Sequence, residues 1–267
     1  MMPIHLYTTF YPEQKAVRLK ELEQCLANNL KNPALTRVTV FNEGGDLSAF
    51  KAEKLQIIPI TKRPTYKDFF EHINAQNDNE AIHIIANTDI YFDAHIAVLQ
   101  YLDLKDKALA LARWDTTEAR RPQLYNKNSS QDVWIFKGPI KSALQADFPL
   151  GVPRCDNRLL YELEQAGYTV LNPAFSIKSY HIHKGQRALV YTEEDNVYEI
   201  PPPYRYKYPH NWLGWWATLW FNRTHEVKLG AYRYDLKKLN RWWVIRLPRK
   251  ILEIITNKSM PLIGYDA

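Results

Sequence analysis

Short β-rich runs alternate with amphipathic stretches along the first two thirds of the chain. The runs IHLYTTF (4–10), RVTVFNE (37–43) and AIHIIAN (81–87) are rich in β-branched, aromatic and aliphatic residues. Between and after them, YKDFFEHINAQ (66–76) and CDNRLLYELEQAG (155–167) carry apolar residues at helical spacing. Parallel strands need long crossovers, so this order predicts an α/β fold: a mostly parallel sheet with helices on both faces.

The composition permits such a domain. The chain has 267 residues, of which 46% are hydrophobic and 24% charged, so a sizeable core can form. Cys25 and Cys155 match no metal or redox spacing, which favours free thiols in a reducing compartment. The opening MMPIHLYTTF has no basic segment followed by a long apolar run. We therefore expect no signal peptide and a cytoplasmic location.

The basic residues are concentrated at the C-terminus. Residues 201–267 hold 12 Lys and Arg against 4 Asp and Glu, and six of the eight tryptophans. The run Pro201-Pro202-Pro203 predicts a stiff connector between a catalytic domain (1–200) and a helical, basic, Trp-rich extension (201–267).

Tryptophan interleaved with Arg and Lys is typical of a lipid–water interface. The extension therefore predicts peripheral contact with an anionic membrane, on its inner face. Packing of the extension onto the catalytic domain or another subunit is the alternative. Nucleic-acid binding is not expected, because the rest of the chain is acidic on balance and contains no recognisable nucleic-acid module.

Acidic residues follow the most apolar strand at once. The segment Ala86-Asn87-Thr88-Asp89-Ile90-Tyr91-Phe92-Asp93 puts carboxylates at the carboxyl end of a buried strand, where α/β sheets bind ligands. Hard oxygen ligands suit Mg²⁺ or Mn²⁺, which prefer sites shared with phosphates. The alternatives are an Asx turn and, for Asp93, a cap on the helix that starts near His95.

This arrangement resembles the DxD motif of GT-A fold glycosyltransferases, with asparagine in the first acidic place. The segments ARWD (112–115), SQDVWIFKGP (130–139) and LGVPRCDNRLLYELEQAGYTVLNPAFSIKSYHIH (150–183) follow in the order expected of a group of bacterial predicted nucleotide-sugar glycosyltransferases. The resemblance covers roughly residues 3–185. The departure at Asn87 leaves two possibilities open: a single aspartate that ligates the metal, or an enzyme that works without one.

The resemblance implies roles for several residues. Thr8 and Thr9, at the end of the first strand, would face the nucleotide base and ribose. Arg63 would meet the diphosphate or ribose, since a guanidinium is a fixed bidentate donor, although it is also a candidate solvated loop residue. Asn87 and Asp89 would contact the ribose and the metal.

Two aspartates are candidates for the general base. Asp156 lies at the start of a helix and resembles the acidic residue near the acceptor in inverting family members. It would take the proton from an acceptor hydroxyl as that oxygen attacks the anomeric carbon. Capping of the helix N-terminus is its other interpretation. Asp132, beside Trp134, is the rival candidate for the base.

Further candidates flank these motifs. A histidine after the last core strand completes the metal site in many GT-A enzymes, and either His181 or His183 would fill that role here. A pair of surface histidines is the alternative. Trp114 and Trp134 would stack on sugar faces of the donor or, as is commoner for tryptophan, pack in the core.

The sequence therefore predicts a glycosyltransferase of cell-envelope polysaccharide synthesis. It would move a hexose or related sugar from a UDP- or GDP-linked donor to a glycan or lipid-linked acceptor with help from Mn²⁺ or Mg²⁺. A non-catalytic nucleotide-sugar or glycan-binding module on the same fold is one alternative, which the missing first acid of the DxD pattern supports. A nucleotidyltransferase is another, although no Gly-rich phosphate loop is present.

Overall fold

The computed structural model describes residues 2–117, 120–182, 199–214, 216, 218, 220 and 243–256. Its strands are β1 (Ile4–Phe10), β2 (Arg37–Asn42), β3 (Leu55–Pro59), β4 (Ile82–Ala86), β5 (Ile90–Tyr91), β6 (Lys107–Leu111), β7 (Trp114–Thr117), β8 (Arg120–Leu124), β9 (Val133–Lys137), β10 (Thr169–Leu171) and β11 (Tyr180–Ile182). Its α-helices are α1 (Ala16–Lys31), α2 (Tyr66–Ala75), α3 (Cys155–Gln165) and α4 (Trp243–Thr256). A 3₁₀ segment spans Ala94–Tyr101.

Within these described residues, seven strands form the main sheet in the order β10-β6-β9-β4-β1-β2-β3. The pairs β1–β2, β1–β4, β2–β3 and β6–β10 are parallel, whereas β9 runs antiparallel between β4 and β6. This confirms the predicted α/β fold class with a mostly parallel sheet.

The two faces of the sheet carry two apolar cores. Leu22 and Leu26 of α1 pack with alternate residues of β1, β2 and β4 on one face. Phe69 and Phe70 of α2 pack on the opposite face with Leu159 of α3. Because side chains alternate along a strand, the fully buried strands β1 and β4 serve both cores, and β4 is accordingly apolar except at His83.

A smaller sheet, in the order β5-β11-β7-β8, lies beyond the carboxyl ends of β4 and β6 along the chain. β11 pairs with β7 in parallel, opposing His181 to Asp115. The sequence analysis did not anticipate this second sheet.

Local sequence explains the element boundaries near the sheet edge. Thr65 and Asp68 form a capping box at the start of α2. Asp93 accepts a hydrogen bond from the amide of His95, so its interpretation as a cap is confirmed.

The compact units are Met1–Phe221 and Asn222–Ala267, whereas the Pro201-Pro202-Pro203 run predicts a boundary at residue 200. In the first unit, the amides of Arg205 and His210 donate to the carbonyls of Asn157 and Asn172. Among the described residues, no helix is long and apolar enough to cross a bilayer.

Candidate functional site

A polar cleft opens where β1 and β4 end. Of the predicted site residues, it is lined by Thr9, Arg63, Asn87, Asp89 and Asp132. The sequence interpretation did not select its other lining residues, which are Tyr11, Arg18, Glu43, Thr88, Leu150 and Gly151. The neighbouring strand ends are tied together by a 2.6 Å hydrogen bond between the Thr9 and Thr88 hydroxyls. The cleft therefore lies at the strand ends where the sequence predicts ligand binding.

Asp89 is the buried anion at the mouth of β4. It is 7% exposed, and its Oδ2 accepts a hydrogen bond from Arg18 Nη2 at 2.6 Å. His181 Nε2 lies 3.2 Å from the same oxygen. Arg18 also donates through Nη1 to Glu21, one turn along α1, at 2.9 Å. A cation from α1 and an imidazole from β11 thus fix this carboxylate at the cleft.

Asp132 is the second carboxylate of the cleft, just before β9. Asn87 Nδ2 donates to its Oδ1 at 2.8 Å, and Arg113 Nη1 lies 3.2 Å from its Oδ2. Burial raises the pKa of Asp132, and the nearby charge of Asp89 adds to that effect, while Arg113 opposes it. Asn87 therefore acts in this structure as a partner of Asp132, and its amide helps to hold the acid in the cleft.

His181 connects Asp89 to the smaller sheet. Its Nδ1 lies 2.9 Å from Asp115 Oδ1, which also accepts from Arg113 Nε at 2.8 Å. Burial alone would lower the pKa of His181, but the hydrogen bonds to Asp115 and Asp89 outweigh it and raise the pKa. The imidazole can therefore hold a proton between two carboxylates. The structure gives His181 a part in orienting Asp89, and ligation of a metal by His181 stays a prediction.

Asp156 lies outside the residues that line the cleft. At the start of α3 it accepts hydrogen bonds from the amides of Gln131, at 3.2 Å, and Asn157, at 2.9 Å. Burial raises its pKa to about 7, because the two hydrogen bonds from backbone amides do not offset the lost hydration of the charged carboxylate. Its hydrogen bond anchors the backbone of Gln131, the residue directly before Asp132.

Three predicted donor contacts lie away from the cleft. Trp134 is fully buried, and its indole N–H donates to the Tyr66 hydroxyl at 3.1 Å. Trp114 is 5% exposed and donates to the carbonyl of Ala174. In this structure both tryptophans pack in the interior, which favours the core alternative, and stacking on a sugar stays a prediction. Thr8 is buried beside Thr9 but does not line the cleft, because neighbouring strand residues face opposite sides.

Predicted residue His183 lies outside the described residues. Arg18, Arg113 and Asp115 were missed as site residues. Arg113 lies two residues beyond the end of β6 and Asp115 lies in β7, four residues beyond it, so the rule that selected Asp89 after β4 could have found them too. Arg18 offered no such signal, because it comes from the first turn of a helix that is distant in sequence from β4.

Comparison with known proteins gives only distant likenesses. No protein family model matches the chain, and no curated protein matches it. Among solved structures, the mannosyltransferase PcManGT from Pyrobaculum calidifontis, in complex with GDP-Man and Mn²⁺, has a TM-score of 0.42 and 14% identity, over 68% of this chain and 58% of that one. TarS from S. aureus, in complex with UDP-GlcNAc, has a TM-score of 0.44 and 11% identity, over 72% of this chain and 61% of that one.

A third solved structure is 4-diphosphocytidyl-2C-methyl-D-erythritol synthase from Anaerococcus prevotii. Its TM-score is 0.42 and its identity 13%, and the match covers 73% of this chain and 92% of the synthase chain. The chain thus spans about three fifths of the length of PcManGT and of TarS. At this level the likeness concerns overall architecture, and any functional assignment depends on the cleft itself.

Proposed function

We propose that the protein is a glycosyltransferase that moves a sugar from a UDP- or GDP-linked donor to a glycan or lipid-linked acceptor. The observation that supports this is the meeting of Asp89, Asp132, Arg18 and Arg63 in one cleft at the carboxyl ends of parallel strands. Two arginines can face the two phosphates of a donor, since guanidinium groups bind phosphate oxygens in pairs. Thr9 adds a hydroxyl at the same rim.

The side-chain oxygen atoms of this cleft fit the ligand chemistry of a divalent cation. Asp89, Asp132 and Asn87 offer hard oxygen atoms of the kind that Mg²⁺ and Mn²⁺ prefer. Within the described residues, no three His, Cys, Asp or Glu side chains form a set that could hold a metal. Water and donor phosphates would therefore supply the remaining ligands, as is common for these ions. When bound, the ion would neutralise charge on the leaving diphosphate.

The transfer itself needs a base for the acceptor. The acceptor oxygen forms a bond to the anomeric carbon, the bond to the diphosphate oxygen breaks, and a carboxylate takes the hydroxyl proton. Asp156, with its pKa near neutrality, and Asp132, in the cleft, are the two candidates. Arg18 and Arg63 would face the negative charge that develops on the leaving group.

The deciding experiment measures nucleotide binding and turnover together. We expect UDP or GDP to raise the melting temperature, more so with Mn²⁺, and expect Asp89→Ala to remove the metal effect. Asp103→Ala, which alters an exposed carboxylate paired with Lys107, is the matched control and should behave as wild type. Slow hydrolysis of the sugar nucleotide without acceptor should accompany binding. Failure of every sugar nucleotide to bind would remove this proposal.

The two alternatives have their own signatures. A binding module would hold the sugar nucleotide and never turn it over. A nucleotidyltransferase would release pyrophosphate from a nucleoside triphosphate. One panel of sugar nucleotides and triphosphates, with product analysis, distinguishes all three.

We also propose that the enzyme works as a peripheral protein on the inner face of an anionic membrane, with an acceptor of the cell envelope. The basic, Trp-rich composition of residues 201–267 supports this proposal.

A further inference from the structure

The helix α4 is sharply two-faced. At about 100° per residue, Leu247, Pro248, Ile251, Leu252, Ile254 and Ile255 fall within one arc of about 160°. A separate arc of about 120° carries Arg246, Arg249, Lys250, Glu253 and Thr256. No apolar residue of this set interrupts the polar arc. Such complete segregation is typical of a helix that lies between an apolar and an aqueous phase.

The apolar face is exposed. Ile254 is 80% exposed, Ile255 73%, and Leu247, Ile251 and Leu252 are each about half exposed. Contiguous large aliphatic side chains in water are unusual on a soluble protein and mark a surface that another phase or partner covers.

The helix also needs such a surface for its own stability. A helix of 14 residues is marginal in water, and Pro248 removes one backbone donor from its interior. Burial of the apolar arc would supply the stabilisation that intrinsic propensity does not.

The polar face indicates what covers the apolar one. Arg246, Arg249 and Lys250 outnumber the single acid, Glu253, which pairs with Arg249 at 3.9 Å. Positive side chains on the polar arc beside an exposed aliphatic arc match a surface that is apolar inside and negative outside. We propose that α4 binds an anionic lipid membrane by lying in the plane of its interface, with the arc around Ile251 and Ile254 in the acyl region.

A second exposed patch has the same preference. Trp216 and Trp220, four residues apart, are 77% and 68% exposed, and Leu213 is 83% exposed. Indole rings favour the headgroup level of bilayers. This patch is in the compact unit that contains the cleft, so each unit carries its own exposed surface of the kind that favours a membrane interface.

The test is flotation of the full chain with vesicles of equal parts phosphatidylglycerol and phosphatidylcholine, compared with phosphatidylcholine alone. We expect binding to the anionic vesicles that weakens as salt is raised. The double variant Ile251→Glu with Ile254→Glu should lower the partition constant at least about tenfold. Arg246→Gln and Lys250→Gln should each lower it about fivefold.

The matched control is Tyr101→Glu, which puts an acid at another exposed apolar position, 80% exposed on the 3₁₀ segment. It should leave the partition constant unchanged, and all variants should bind nucleotide as wild type does, because none is in the cleft. Three results would overturn the proposal. The first is that the full chain fails to bind anionic vesicles. The second is that the double Ile251 and Ile254 variant binds them as well as wild type does. The third is that the protein is a dimer in solution and this variant makes it a monomer.

Discussion

Arg18 Nη2 lies 2.6 Å from Asp89 Oδ2, so the carboxylate that the sequence predicts as a metal ligand is paired with an arginine. Both side chains are largely buried, 20% and 10% exposed. Any cation that binds Asp89 must share it with this guanidinium or displace it.

Arg18→Gln should therefore have two opposite effects. Without ligand it leaves Asp89 short of a cation, so the free energy of unfolding should fall by about 3 kcal/mol. With Mn²⁺ present and no nucleotide, the melting temperature should rise more than in wild type, because the ion no longer competes with Arg18 for Asp89. Thermal unfolding with and without Mn²⁺ measures both effects.

Arg158→Gln is the matched control. It breaks a comparable pair, Arg158 Nη2 to Glu162 Oε1 at 2.6 Å, on α3 and away from the cleft. It should lower stability without changing the response to Mn²⁺. A Mn²⁺ response in Arg18→Gln that is no larger than in wild type would show that Arg18 does not compete for Asp89.

How far the sequence predicts this cleft depends on the origin of each residue. Asp89 and Asn87 follow a strongly apolar strand, so the pattern of β4 locates them at a ligand-binding edge. The antiparallel strand β9, which brings Asp132 beside Asn87, depends on strand pairing that no local pattern encodes. Arg18 and His181 reach Asp89 from elements that lie 71 and 92 positions away along the chain, through tertiary packing alone.

Trp134 illustrates the converse, a residue whose type suggests function and whose place is structural. Trp134→Phe should lower the free energy of unfolding by about 1–3 kcal/mol, since it removes the hydrogen bond to Tyr66 and leaves a small void. The affinity for sugar nucleotide should not change. Denaturant unfolding and nucleotide titration measure the two quantities, and a weakened affinity at unchanged stability would restore Trp134 as a sugar contact.

A cluster of histidines on β1 and β4, towards the strand ends away from the cleft, predicts that the stability of the fold is sensitive to acid. His83 Nδ1 lies 3.2 Å from the Tyr7 hydroxyl, and Arg37 Nη2 lies 3.0 Å from His5 Nδ1. Burial, with the charge of Arg37 acting in the same direction, lowers the pKa of both histidines to about 4, although Asp78 opposes the shift. The unfolded chain takes up these protons near pH 6.5, whereas the folded one resists until about pH 4.

Stability should accordingly be lost as the pH falls from 6.5 to 4, by up to about 3 kcal/mol for each histidine. His83→Gln should flatten this dependence, and His95→Gln, at an exposed position, should not. Urea unfolding at a series of pH values gives the slopes. Equal slopes for wild type and His83→Gln would contradict the assignment.

The choice between the two candidate bases can be made from the pH dependence of kcat/KM. A base must be deprotonated to act, so with Asp156 in that role the rate should rise with pH through about 7. Asp156→Asn keeps an acceptor for the amides of Gln131 and Asn157 but cannot take a proton. It should lower kcat/KM about 100-fold or more and abolish the acid limb, while nucleotide affinity stays the same. If the acid limb survives in Asp156→Asn and disappears in Asp132→Asn, the proton goes to the carboxylate in the cleft and Asp156 serves only to anchor the start of α3.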